Sequence, residues 1–160
     1  RIARSRADNS VRIVDYEPRH QEAWESLNLT WISKDFEVED IDRETLGKPQ
    51  QYFLDGGGAI LLAEKDGEII GTVGLQPFGN GAYELAKMTV AEKARGLKIG
   101  EKLGWAALER AQKLGAKRVF LYSNTKAYQA INLYFKLGFR VVGLDSQEFK
   151  RANIQMEIFF

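Results

Sequence analysis

The most restrictive stretch of this chain runs from Ala59 to Val90, where three strand-length segments follow one another with only short turns between them. Gly56-Gly57-Gly58 breaks the chain before an apolar run from Ala59 to Glu64. Lys65-Asp66-Gly67-Glu68 reads as a hairpin turn, the Asp-Gly pair supplying the positive φ angles of a tight turn. Ile69 to Leu75 is the return strand, Gln76 to Gly81 a looser turn, and Ala82 to Val90 the third strand. Parallel neighbours need crossovers of a dozen residues or more, so this meander is antiparallel and excludes an all-parallel nucleotide-binding sheet. The next connection differs. Gly100 to Leu114 has helical spacing (Leu103, Ala106, Ala107, Ala111, Leu114) and ends at Gly115, and Arg118 to Tyr122 is again a strand. A crossover of that length sets this strand parallel to Ala82–Val90, with right-handed connection.

The flanks complete a mixed α/β (α+β) order. Val11 to Asp15 is a first strand ended by Glu17-Pro18, and a helix runs from His20 to about Leu27, its apolar spacing blurring from Asn28 to Ile32. Lys34 to Gln51 is the least regular part, with a short helix over Glu39 to Leu46. Asn124 to Leu137 is a further helix capped by Gly138, and strands over Arg140–Leu144 and Asn153–Phe160 close the sheet. The expected order is β-α-α-β-β-β-α-β-α-β-β.

A chain of 160 residues with 44% hydrophobic and 28% charged residues is most simply one domain. Residues 1–10, with Arg1, Arg4 and Arg6 and almost no apolar material, read as a flexible arm, leaving 11–160 as the domain. The missing initial methionine suggests a processed or excised chain, or a segment of a longer one. With no cysteine and a single histidine, thiolate catalysis, cysteine zinc sites and histidine-cluster metals are excluded, and no metal is expected. His20, at a helix entrance, is expected in a solvated or capping role. A net charge of +1 with mixed signs predicts no nucleic acid or membrane-surface partner. No apolar run reaches the roughly 20 residues of a membrane span, and no apolar signal segment is visible, so a cytoplasmic enzyme or binding domain is the default expectation.

Chemistry concentrates first at Val90 to Leu103, where Arg95-Gly96-Leu97-Lys98-Ile99-Gly100 leads directly from strand into helix. The first N–H groups of a helix lack intrahelical partners and carry partial positive charge, which suits a phosphate. The plainer alternative is that the glycines only let the chain turn. Glu101 after Gly100 departs from the Gly-Lys-Ser/Thr ending of a P-loop, which argues against a nucleoside triphosphate site. The carboxylates Asp35, Glu37, Glu39, Asp40, Asp42 and Glu44 form either a solvated face or, with Trp31 and Phe36, an acceptor loop attracting a cationic amine.

This order of elements, together with the Arg95–Gly100 turn and the pattern Asn124, Ala130, Tyr134 before Leu137-Gly138-Phe139, resembles the GNAT superfamily of acyl-CoA-dependent N-acyltransferases. The likeness spans Val11 to Phe160. It implies a mostly antiparallel twisted sheet of about seven strands, flanked by about four helices and splayed between the fourth and fifth strands. It also implies acetyl-CoA as co-substrate: the pantetheine arm beside Met88 and Val90, the pyrophosphate on the backbone amides of Arg95, Gly96, Leu97, Lys98, Ile99 and Gly100, and Asn124 hydrogen-bonding the pantetheine. Lys98 stands where the family usually has its first signature glycine. A side chain there either disturbs the close approach of backbone to pyrophosphate or, directed outward, adds a cation.

The resemblance implies N-acetyl transfer to a primary amine of a small molecule or peptide by direct transfer in a ternary complex, with a homodimer common in the family. Such transfer needs deprotonation of the ammonium, stabilisation of an oxyanion and protonation of the leaving thiolate. Glu84 falls where histone-type members carry a glutamate base, and Tyr134 where the family has its proton donor. Period-two alternation predicts Glu84, Ala86, Met88 and Val90 on one strand face, unless a bulge resets the count. A carboxylate half-buried among Tyr83, Leu85 and Met88 tends toward a raised pKa, and the bland alternative for Glu84 is a strand-end carboxylate paired with a lysine. Trp31, Phe36 and Gln76, with the turn at Phe78 to Gly81, are expected to line the acceptor pocket. The rival function is a non-catalytic acyl-CoA-sensing domain.

Overall fold

The computed structural model describes residues 10–144 and 149–160; the arm expected over 1–10 lies outside them, apart from Ser10. A seven-stranded mixed sheet has the order β1-β2-β3-β4-β5-β7-β6, where β1 is Val11–Asp15, β2 Ala59–Lys65, β3 Glu68–Pro77, β4 Ala82–Val90, β5 Arg118–Ser123, β6 Arg140–Val142 and β7 Ile154–Phe159. All pairings are antiparallel except β4 with β5. The four α-helices among the described residues are α1 (Gln21–Asp35), α2 (Asp40–Gly47), α3 (Ile99–Lys113) and α4 (Tyr128–Leu137). The expected fold class is present, with boundary differences that include α1 running eight residues past Leu27, α4 beginning at Tyr128 rather than Asn124, and β6 ending at Val142 rather than Leu144.

The apolar patterns divide cleanly between the two faces of the sheet. Leu61, Ala63, Val73 and Leu85 meet Leu103, Ala107 and Ile131 on the α3 and α4 side. Ile60 and Leu62 meet Trp24, Ile32, Leu46 and Phe53 on the side of α1 and α2. Both faces of β2 are therefore covered, which is why Ala59 to Ala63 reads as a continuous apolar run rather than an alternation. A short π-helical turn, Gln50–Leu54, sends Phe53 into this second layer; its spacing is too short to show as a helix in the sequence.

Gly58 is needed for space. A Cβ there would lie 2.1 Å from the Leu75 carbonyl oxygen and 2.5 Å from that of Phe53. Both contacts are backbone, which cannot swing aside, so Gly58→Ala is expected to cost about 3 kcal/mol. Urea unfolding of the variant should show a lowered midpoint at unchanged slope.

Two irregularities prepare the site. The β3–β4 register steps from Thr72 opposite Thr89 to Gly74 opposite Ala86, so Lys87 and Met88 share one partner residue. Lys87 takes φ +56° at this bulge. Beyond it β4 and β5 part: their pairing covers only Ala82–Glu84 with Arg118–Phe120. This is the expected splay.

Candidate active site

The bulge resets the strand alternation, which corrects the expectation of a shared face. Met88 and Val90 pack toward α3 and α4, whereas Ala86 packs toward α1. Glu84, two residues before Ala86, shares the α1 face. It is 2% exposed, more deeply buried than the strand-end position suggested. Its strand neighbour in β3 is Gln76.

What holds the bulge is a buried set of polar side chains. The Thr72 hydroxyl donates to the Lys87 carbonyl at 2.7 Å and accepts from the Asn28 amide at 3.0 Å. The Thr89 hydroxyl donates to the Asn28 Oδ1 at 2.6 Å, and Asn28 also donates to the Trp24 carbonyl at 2.9 Å. Asn28, Thr72 and Thr89 are all buried, so each bond is made away from competing water. This explains the blurred periodicity of α1: its buried stripe contains a polar residue whose partners lie more than 40 positions away.

Two cavities meet at this bulge. An inner pocket of about 90 Å³ is lined by Glu84, Lys87, Tyr134, Phe149 and Arg151 among others. An outer groove of about 430 Å³ follows Val90, Arg95, Gly96, Lys98, Ile99 and Gly100 toward Lys126 and Tyr128. Trp31, Phe36, Met88 and Ala130 line both. Trp31 and Phe36 stack with ring centroids 6.1 Å apart, and Lys126 lies 5.7 Å over the Phe36 ring, bridging the groove. Two expected site residues stand apart from these cavities. Gln76 lines neither of them, and the following turn packs Phe78 against Phe120 at 5.5 Å instead. Leu97 is half exposed and absent from the groove wall, so only its backbone could serve a ligand there.

The groove's helix N-terminus resolves the question raised by Lys98. Lys98 adopts φ +58°, ψ +32°, the left-handed conformation a glycine would take, and its side chain is exposed. A non-glycine residue there costs roughly 1–2 kcal/mol in backbone strain, but the turn keeps its path. The Lys98 carbonyl accepts from the Lys102 N–H at 3.1 Å, opening α3, while Gly96 supplies a second positive φ at +87°. The Arg95 N–H donates to the Glu92 carbonyl at 3.2 Å. It is therefore engaged in the turn, which leaves the amides of Gly96–Gly100 as the candidates for an anion.

Asn124 lines the inner pocket rather than the groove. Its carboxamide is engaged at both ends, donating to the Arg151 carbonyl at 2.7 Å and accepting from the Lys126 N–H at 2.9 Å. It braces the turn before α4 against the segment before β7. Tyr134 is buried, edge-on to Phe139 with centroids 5.9 Å apart. Burial pushes its phenol up to about 12, so it stays protonated throughout the working range. His20 is capping, as expected, but not solvated: its Nδ1 accepts from the Glu17 N–H at 2.9 Å, and the ring is buried.

Two acids of the Asp35–Glu44 run, Glu39 and Asp42, form an ion cluster beside the inner pocket with Lys87 and Arg151, which the sequence did not single out. Asp42 is fully buried and accepts from the Lys87 ammonium at 2.8 Å, from both terminal nitrogens of Arg151 at 2.6 and 2.8 Å, and from the Glu39 N–H at 2.9 Å. Glu39 also accepts from Arg151, at 3.2 Å. The Phe149 ring carries Lys87 on it at 4.9 Å and Arg151 at 4.7 Å. Burial alone would push the Asp42 carboxyl up; the Arg151 guanidinium and the Lys87 ammonium outweigh it and hold the group at about 2. Lys87 is almost completely buried, and desolvation moves its pKa down against the attraction of the Asp42 and Glu84 carboxylates. In the sequence Asp42 was one acid in a run. The capping-box spacing Glu39-x-x-Asp42 would have placed it at the start of α2, facing inward.

Because Asp42 titrates lower folded than unfolded, its stabilisation is complete above its ordinary value of 3.8 and disappears as pH falls through about 2. On the order of 2 kcal/mol is expected to be lost between pH 4 and 2. Acid titration of Asp42→Asn, followed by circular dichroism, should lack this component.

Comparisons with known proteins agree with this geometry. Residues 20–139 match the family model described as the acetyltransferase (GNAT) family. The chain is 34% identical over 92 residues to the uncharacterized N-acetyltransferase YjgM of Escherichia coli, covering 56% of this chain and 55% of that protein. It is 32% identical over 102 residues to a probable N-acetyltransferase, camello, of Xenopus tropicalis, covering 62% and 47%. The chain thus spans about half the length of these curated relatives. An acetyltransferase of Staphylococcus aureus Mu50 superposes with a TM-score of 0.85 at 24% identity, over 92% of this chain and 97% of that one. The paiA N-acetyltransferase of Thermoplasma acidophilum, solved with coenzyme A, superposes at 0.72 with 20% identity, over 94% and 99%. With the splayed strands, the bulge and the helix-N-terminal groove in place, and a family match across three quarters of its length, this chain belongs to the acetyltransferase (GNAT) family.

Proposed function

We propose that residues 11–160 act as an acyltransferase domain that moves acetyl from acetyl-CoA to a primary amine of a small molecule or peptide, directly and within a ternary complex. The observation that carries this reading is the meeting of groove and inner pocket at the β4 bulge, with Met88 and Ala130 lining both. The groove takes the cofactor: amides from Gly96 to Gly100 and the α3 N-terminus suit the pyrophosphate, and the exposed Lys98 adds charge. When bound there, the co-substrate supplies an activated thioester at the bulge.

Glu84, inside the inner pocket, takes the proton from the acceptor ammonium. The backbone N–H at the bulge near Met88 faces the developing oxyanion. Tyr134 hydrogen-bonds the leaving sulfur. A phenol near 12 is a poor source of a full proton for a thiolate whose acid has a pKa of about 8.5, so stabilisation by the hydrogen bond is the greater part of its role. Incubating the protein with acetyl-CoA and a broad amine panel should release free thiol with at least one amine. Binding of acetyl-CoA without thiol release from any amine would favour the sensing domain, and equal thermal stabilisation by ATP would favour a general phosphate binder.

A further inference from the structure

The ion cluster carries information about the acceptor. Lys87 and Arg151 both line the inner pocket, and both are cations of the kind that would hold a substrate carboxylate. Here each is already held from behind by Asp42, with Arg151 gripped through two parallel hydrogen bonds and shared with Glu39. Asp42 itself is fully buried and lines neither cavity. It occupies, from inside the protein, the place a substrate carboxylate would need. Around the pocket two cations thus stand among three carboxylates, Asp42, Glu39 and Glu84, an excess of one negative charge. Farther out the balance reverses: Lys34, Arg95, Lys98 and Lys126 line the groove against the single carboxylate of Asp35, so the excess cationic charge lies along the groove and not in the inner pocket.

The rest of the inner pocket's wall is mostly apolar or aromatic; of its polar members, Asn28, Thr89 and Asn124 are engaged within the protein, and Ser123 completes the set. Trp31, Phe36, Tyr122 and Phe149 leave about 90 Å³, less than a cavity of roughly 150 Å³ that admits benzene. An alkyl chain of a few carbons fits this space. A second charged group does not: an added anion would meet the excess negative charge in a partly desolvated pocket, where repulsion is weakly screened.

Building on the acetyl-transfer reading above, we propose that the acceptor is a small primary amine whose part inside the inner pocket is apolar and carries no carboxylate, and that Asp42 sets this selection by occupying Arg151 and Lys87. Amino acids presenting an α-carboxylate beside the reacting amine are rejected. The transfer balances in bonds and protons: one ammonium proton passes to Glu84, the amine nitrogen forms the new bond to the acetyl carbon, and as the carbon–sulfur bond breaks the second nitrogen proton passes to the departing sulfur, which leaves as free thiol.

The test compares three acceptors that differ at one position: butylamine, norvaline, which is the same chain bearing an α-carboxylate, and norvalinamide, in which that group is neutral. Because the amine of norvalinamide is also less basic, rates are compared at matched concentrations of free amine. Butylamine is expected to exceed norvaline at least tenfold in kcat/KM, and norvalinamide to fall nearer butylamine. Equal rates, or a preference for norvaline, would overturn the proposal. So would thiol release with other amines of the panel but with none of these three, which leaves the transferase reading standing; silence with every amine would remove both. In Asp42→Asn the butylamine-to-norvaline ratio should drop several-fold, because Arg151 and Lys87 become available to the substrate carboxylate. An unchanged ratio in folded variant protein would take Asp42 out of the selection. If Asp42→Asn does not fold, the comparison in the unaltered protein decides by itself.

Discussion

Replacing Glu84 by glutamine is expected to lower kcat by roughly 10² to 10⁴-fold, the range for loss of a positioned general base. The substitution keeps the side chain's shape in a position that is 2% exposed, so packing around Ala86 and Leu85 should survive and the loss should be chemical rather than structural. The diagnostic is the pH profile of kcat/KM. In the unaltered protein the rate is expected to fall on the acidic side as the proposed base becomes protonated; in Glu84→Gln that limb should flatten. A variant with an unchanged acidic limb would hand deprotonation to a water chain leading out through the groove. Thermal unfolding of the variant separates this chemical loss from a packing loss.

Tyr134→Phe is expected to reduce kcat about 100-fold, while acetyl-CoA affinity stays within about twofold. Removing a single donor aimed at developing negative charge typically costs that much. The hydroxyl contributes nothing to the groove, whose walls are formed by the Arg95–Gly100 turn and the start of α4, so ground-state binding should be spared. The ring remains to pack against Phe139, so stability should hold as well. Since burial holds the phenol near 12, its ionisation cannot shape the alkaline side of the rate profile below that pH. A variant with near-normal turnover would return Tyr134 to a purely packing role. A single-turnover measurement with pre-bound acetyl-CoA separates the chemical step from product release.

The two predictions differ in how much of their basis could be seen in the sequence. Glu84 and Tyr134 became candidates only through the resemblance to the GNAT superfamily, which the local strand–turn–helix pattern and the Asn124, Ala130, Tyr134 spacing made visible. Which face Glu84 occupies was not reachable. Alternation carried past Ala86 puts Met88 with Glu84; the bulge at Lys87 separates them, because an extra residue reverses every side chain beyond it. Gln76 illustrates a related limit. It pairs directly with Glu84, yet neighbouring strands do not guarantee that both side chains reach one cavity. The helix α1 was cut short at Leu27 for the opposite reason. Its buried stripe continues through Asn28, a polar residue made compatible with the core by Thr72 and Thr89.

By itself, the sequence determined the antiparallel meander, the single parallel crossover and the glycine-bearing turn before α3. Each of these depends on residues a few places apart, through turn geometry and periods of two and 3.6. Only the tertiary structure decided the rest. Lys98 could have broken the turn or kept its path, and the surrounding structure holds it in the left-handed conformation at the cost of modest strain. The acids at Asp35 to Glu44 could have been a solvated face; one of them, Asp42, is buried because Lys87 and Arg151 reach it from 45 and 109 positions away. No periodic pattern carries such a pairing. It exists because the β4 bulge and the segment before β7 converge on α2, and a carboxylate enters that low-dielectric space only where matching cations arrive with it.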